Sequence, residues 1–134
     1  MSDPSLPMQA AIVARLKANG AVSAIVEGRV FDAVPTRAAK PYVNLGQPQV
    51  IPDKATCVDG AEVSYPVHGW AEGPQSVEIK QLGAAVVAAL DEIELTVTGH
   101  RLVVFELEQL QYLDDPDGIT KHFVAVFRAL TEPE

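Results

Sequence analysis

The side chains with the widest chemical repertoire are His68, His100 and His122, the carboxylates Asp114, Asp115 and Asp117, the pair Glu106 and Glu108, and the single cysteine Cys57. Three imidazoles suffice for a zinc site that keeps its fourth position open. These three fall on separate predicted strands or their edges, without the short spacing of a helical or hairpin ligand pair. They read as surface or interface histidines, and no metal is expected. Asp114, Asp115 and Asp117 beside Gly118 look like part of a calcium loop, but the register fails. An oxygen ligand is required where Leu113 stands, and the closing glutamate falls on Val124. Turn chemistry accounts for these aspartates better. Glu106 and Glu108 share one strand face, about 7 Å apart. Such a pair does acid/base work where a pocket drives the two pKa values apart, and on an open sheet it is a solvated stripe. Cys57, near Lys54, has neither a flanking histidine nor a helix start to activate its thiol. Trp70 ends a strand as either a core residue or an interface anchor. Phosphate-loop, dinucleotide-binding, nucleophile-elbow, H-E-x-x-H and C-x-x-C motifs are all missing. No catalytic, cofactor-binding or metal-binding residue is assigned.

The elements that position these groups follow from hydrophobic spacing. Leu6 to Ala18 is predicted helical, with Ser5 as cap, Pro7 in the first turn, and Met8, Ile12 and Leu16 on the buried stripe. Asn19-Gly20 provides a left-handed stop. Ala24-Ile25-Val26 suits a helical turn, Arg29-Val30-Phe31 a short strand, and Tyr42 to Leu45 another, with Val34-Pro35 and Lys40-Pro41 bracketing a loop. Gln47 to Gly60 lacks sustained periodicity and reads as a long projecting loop. Ala61 to Ala71 alternates as a strand, and Pro66 assigns it to an edge or a bulge. A second helix opens at Gly73-Pro74 and runs to about Leu90, with Gly83 allowing close approach to a sheet. Ile93 to Thr98 alternates weakly before Gly99.

Arg101 to Leu113 and Ile119 to Leu130 are predicted as a long C-terminal β-hairpin, turned at Asp114 to Gly118. In its first strand Val103, Phe105 and Leu107 are apolar on odd positions, then Leu110 and Tyr112 on even ones. A strict two-residue period cannot bury both sets on one face, so a β-bulge is expected near Glu108-Gln109. In the second strand Phe123, Ala125, Phe127 and Ala129 suit a face beneath helices, yet Val124, Val126 and Leu130 make the other face apolar too. Two helices cover only one side of such a sheet, and the leftover side points to a partner. The fold class is therefore α+β: a mostly antiparallel sheet of four to five strands with two helices on one face.

Size and charge narrow the function. A chain of 134 residues suits a single domain spanning 1–134, large enough to fold without disulfides or metal. Its net charge of −8 disfavours nucleic-acid binding driven by phosphate neutralisation. The apolar run Gly83 to Leu90 is far too short to span a bilayer, so no membrane partner is expected. Met1-Ser2-Asp3-Pro4 does not resemble a secretory signal, and one cysteine fits a reducing, cytoplasmic setting.

Several stretches together resemble a known family. Gly28-Arg29-Val30-Phe31-Asp32, Val34-Pro35 and Lys40-Pro41-Tyr42-Val43-Asn44-Leu45-Gly46 are similar to the front signature of phage tail-completion proteins, the tail terminators of long-tailed phages and gene transfer agents. Asp117 to His122, followed by Val126-Phe127-Arg128-Ala129 and Thr131-Glu132, resembles the family's closing strand. Leu82-Gly83 and Ala88-Ala89-Leu90 fall where the family has a helix. The resemblance runs from about Leu6 to Glu132, while residues 47–60 match nothing in it.

The resemblance implies a non-enzymatic, homo-hexameric ring on the head-side end of the tail tube. Such a ring stops tube polymerisation, meets the head-tail connector, and lets DNA through its lumen without specific binding. It implies a place at the neck end of the virion tail, with assembly in the bacterial host cytoplasm. Interface residues are then expected at Val124, Val126 and Leu130, in the 47–60 loop at Gln49, Val50 and Ile51, at the hairpin tip at Asp115 and Asp117, and in the acidic tail 131–134. A ring needs heterologous contacts of roughly 800 Å² per partner. The rival readings are a head-tail stopper ring, a small α+β enzyme or ligand-binding domain with a pocket around His122, Glu106 or Glu108, and a two-fold cytosolic dimer.

Overall fold

The computed structural model describes residues 1–54 and 59–134, so Cys57 and the middle of the expected 47–60 loop lie outside the described residues. The α+β class holds, with three helices where two are expected and a six-stranded mixed sheet. Helix α1 spans Ser5–Ala18 and buries Met8, Ile12 and Leu16. Ser5 does not cap it; its backbone N–H instead donates to the Asp3 carboxylate at 2.9 Å. Nor is Asn19-Gly20 a left-handed stop. Asn19 stays extended, and its side chain accepts from the Val22 N–H at 3.0 Å, capping a second helix, α2 (Gly20–Val26). Asparagine before glycine serves either role, and the apolar Val22 and Val26, both buried, decide for a helix start.

The strands are β1 (Val30–Phe31), β2 (Tyr42–Leu45), β3 (Gln49–Asp53), β4 (Gly60–Glu72), β5 (His100–Asp114) and β6 (Thr120–Pro133), with helix α3 (Val77–Leu90) between β4 and β5. Their order is β1-β2-β4-β6-β5, with β3 following β2 along the same side of β4. The β1–β2 pair is parallel and the others are antiparallel.

Two expectations fail for one reason. Gln49 to Asp53 is not loop but β3, which runs from Gln49 opposite Ser64 to Asp53 opposite Gly60. Pro66, expected at a sheet edge or a bulge, stands in regular register within the central strand β4, paired with Val126 of β6. On the other side of β4 the neighbouring chain is interrupted between Leu45 and Gln49, and the Pro66 carbonyl accepts from the Gly46 N–H at 2.9 Å. In an antiparallel ladder a residue's N–H and C=O point to the same side. The N–H that proline lacks would therefore face this interruption, where no strand residue needs it.

The C-terminal hairpin and its bulge are as expected: Leu107 pairs with Phe127 and Gln109 with Val126, leaving Glu108 as the extra residue. A second shift leaves Val103 extra between Leu102 and Val104. The two bulges rephase β5 so that Leu102, Phe105, Leu107, Leu110 and Tyr112 all pack on one core. Ile93 to Thr98, which alternates weakly, joins no strand ladder; just before it the Glu92 N–H donates to the Phe105 carbonyl of β5 at 3.1 Å.

The core lies between one sheet face and the helices. Phe123, Ala125, Phe127 and Ala129 of β6, with Val63, Tyr65 and Val67 of β4, face Ile79, Leu82, Val86 and Leu90 of α3 and the buried stripe of α1. A Cβ on Gly83 would strike the Tyr112 hydroxyl, and one on Gly69 would strike the Phe123 ring. Both glycines are places where bulk on one element fills the gap left by another.

Candidate functional site

The opposite sheet face carries the alternate residues of the same strands, because side chains alternate along β4 and β6. Register assembles them into rows. Tyr42, Trp70, His122 and Leu113 form one; Asn44, His68, Val124 and Gln111 the next; then Pro66, Val126 and Gln109; then Gln49, Ser64, Arg128 and Glu106; then Ile51, Glu62, Leu130 and Val104. Val124, Val126 and Leu130 thus lie on the outer face, half-buried by their sheet neighbours rather than by a helix. Ile51 is 49% exposed beside them. Gln49 shares this face, whereas Val50, opposite the buried Val63, turns inward and packs against the core.

An aromatic band crosses one end of the face. Phe31 meets Tyr42 with ring centroids 5.8 Å apart, and Tyr42 stacks on Trp70 at 6.5 Å. Trp70 lies flat on His122, with centroids 3.8 Å apart and planes 5° from parallel. The Trp70 indole N–H donates to the Asn44 side-chain oxygen at 2.8 Å, which fixes the ring. His68 and His122 approach Nδ1 to Nε2 at 2.8 Å. Burial pushes the His68 pKa down; burial, then the proximity of His68, pushes that of His122 down to about 4. Both rings are therefore neutral at pH 7, and one donates to the other.

Further along, Arg128 is held between two carboxylates. Its Nε donates to Glu62 at 2.9 Å and its Nη1 to Glu106 at 3.3 Å. The hydrogen bond to Glu62 raises the Arg128 pKa above its usual value. One Glu of the expected pair is thus engaged by arginine, while Glu108 is the bulge residue, so the two do not form an isolated acid/base pair. His100 is buried at the start of β5, opposite Pro133 and away from the other two histidines. Among the described residues no three metal-ligating side chains converge.

The hairpin-tip aspartates serve the turn. Asp117 accepts from the Ile119 and Thr120 N–H groups, both at 2.8 Å, and from the Thr120 hydroxyl at 2.6 Å; the hydroxyl bond leads in holding its pKa below the usual carboxylate range. Asp115 accepts from the Asp117 N–H at 3.1 Å, and Gly118 takes the left-handed φ of 77°. β6 continues through the acidic 131–133 stretch, where Glu132 meets Arg101 at 2.7 Å.

Sequence reasoning found the apolar members of this face but missed the aromatic–histidine band and the Glu62–Arg128–Glu106 bridge. The signal was available: the even positions of residues 62–72 and 122–132 share a face once β4 pairs with β6 over its whole length.

Residues 10–132 match the protein family described as Tail completion protein gp17, and the chain belongs to that family. No curated protein matches the chain. Among solved structures it is similar to a chain in the virion of a native gene transfer agent (GTA) particle. That likeness has 29% identity, covers 93% of this chain and 94% of that one, and has a TM-score of 0.85. It also shares its fold with the gp17 protein of bacteriophage SPP1, at 21% identity, with 94% and 88% covered and a TM-score of 0.60.

Proposed function

We propose, with membership of the tail completion family as the premise, that this chain ends the tail tube of a phage-like or gene transfer agent particle as a homo-oligomeric ring. It is a structural virion component. In this reading the whole chain, 1–134, acts as one unit: six copies cap the tube, stop further polymerisation and present a joint to the head-side connector. The observation that carries the reading is the outer sheet face. The helices leave it open, yet it presents Tyr42, Trp70, Val124, Val126 and Leu130 across the three strands β2, β4 and β6. An apolar and aromatic surface of this extent suits burial in an assembly, since Trp, Tyr and Arg are the side chains that anchor interfaces. The face spans about 40 Å along β4 and, with β5 included, roughly 14 Å between the outer two of the four strands, enough to supply a large share of the ~800 Å² that a specific contact covers on each partner.

The net charge of −8 suits a lumen through which DNA slides, because clustered Lys/Arg would hold the phosphates. In this reading the hairpin tip at Asp115 and Asp117, and Gln49 and Ile51 of β3, reach towards the rings above and below. Electron microscopy of particles assembled without this protein tests the reading. Tubes of abnormal length are expected; tails of normal length that fail to join heads would assign it to the stopper position instead.

A further inference from the structure

The two lateral margins of the sheet differ in charge and shape, and the difference identifies how one copy would meet the next. Beside β5 lies a groove of about 560 Å³, between the edge strand and the segment 92–96. Its walls include the half-buried Ile93 and Leu95 and the exposed Val103, and it is lined by the carboxylate residues Glu92, Glu94 and Glu106. The nearest basic side chain on β5, Arg101, is already bound to Glu132 at 2.7 Å. Asp91, next to the groove, is taken by the Leu107 N–H at 2.7 Å. The groove is thus a largely polar, acidic slot with a few apolar side chains in its walls.

At the other margin, beyond β1 and β2, the connection 32–41 presents the complementary shape. Ala38 N–H closes a turn on the Pro35 carbonyl at 3.2 Å, and Arg37 holds a left-handed φ of 61° beside it. Arg37 is exposed and makes no hydrogen bond or ion pair among the described residues. Val34, three residues before it, is 39% exposed. The other cations of this margin are occupied, Arg29 by Glu27 at 3.1 Å and Lys40 by Glu72 at 3.0 Å. An unpaired guanidinium beside an exposed apolar side chain matches an acidic slot whose walls include Ile93 and Leu95.

We propose that the 32–41 turn of one copy docks into the groove beside β5 of the next, with Val34 against Ile93 and Leu95 and Arg37 against Glu92 and Glu94. Turn and groove flank the first and last strands of the order β1-β2-β4-β6-β5, four strand spacings or roughly 19 Å apart. A chain cannot fill its own groove, so the contact is heterologous. Repeated around an axis, it closes a ring in which every subunit gives one turn and receives one. This inference rests on the ring reading above and names the lateral contact within it.

A charge-reversal series measured by sedimentation tests it, with the full-length protein alone and on assembled tail tubes. Arg37→Glu and Glu94→Arg are each expected to weaken self-association at least ~10-fold, and the double variant to recover to within about threefold of wild type. Both positions are exposed, so each variant should keep the wild-type unfolding midpoint. Arg37→Ala supplies a second measurement at the same site without adding a charge. Wild-type assembly that neither single variant disturbs, or a double variant that shows no recovery, overturns the docking pair and leaves the ring reading in place. A wild-type protein that stays monomeric both alone and on tubes overturns the two together.

Discussion

The Trp70 indole lies parallel to the His122 imidazole at a centroid distance of 3.8 Å, and His122 in turn shares a hydrogen bond with His68 at 2.8 Å. The carboxylate side chains on this face lie elsewhere: Glu72 is bound by Lys40, and Glu62 and Glu106 by Arg128. The groups facing the two imidazoles across the rows are Asn44, Gln111, Leu113, Tyr42 and Val124, none of which offers an imidazolium a countercharge near pH 7.

The histidine pair makes stability pH-dependent with a definite sign. The folded state holds the His122 pKa at about 4, below the ordinary histidine value of 6.5, so the unfolded chain binds the proton more tightly. Its contribution is complete above pH 6.5 and is lost as the pH falls from there towards 4. His122→Gln is expected to flatten that part of the stability profile, measured as urea midpoints at a series of pH values. An unchanged slope would mean that the pair titrates like free histidine.

The outer face should separate assembly from folding. Val126→Asp places a charge at the centre of the rows, where the wild-type side chain is only half-buried. Its unfolding free energy should change by less than ~1.5 kcal/mol, as for other substitutions outside the core. Self-association should weaken at least ~10-fold, as read by sedimentation, because an unpaired charge would be buried in the contact.

Gly69→Ala should act through the core. The added Cβ would meet the Phe123 ring, which is fully buried and cannot swing aside. Overpacking of this kind costs about 1–3 kcal/mol. Urea unfolding measures it, and Phe123→Leu in the same background should recover part of the loss.

Asp117→Ala should lower the unfolding midpoint by freeing the Ile119 and Thr120 N–H groups and the Thr120 hydroxyl. The wild-type carboxylate, with its pKa depressed, contributes stability above pH 3.8 that is lost as the pH falls further. The variant should lose that acid-side portion of the profile, and calorimetry at pH 2.5 and 5 checks it.

Much of the architecture was legible from spacing. The α1 stripe, the α3 stripe with Gly83, the C-terminal hairpin and the bulge at Glu108 all follow from where apolar residues fall and where their phase breaks. The apolar members of the outer face were legible for the same reason: Val124, Val126 and Leu130 alternate with a core set that the helices already satisfy. What stayed hidden depends on contacts between distant segments. The position of Pro66 makes sense only once Gly46 interrupts the neighbouring strand. The band of Tyr42, Trp70 and His122 exists only through the registers of β2, β4 and β6, which no single stretch encodes. β3 is short, carries Pro52 and is partnered only by β4, so its local pattern is that of a loop.

The outermost strand carries one further consequence. β5 is fifteen residues long and forms a free margin of the sheet, the geometry on which stacked cross-β fibrils grow. The extra residues at Val103 and Glu108 kink it in two places, so a second straight strand cannot follow it for its full length. The strand is thereby a poor template for the open-ended stacking that builds fibrils.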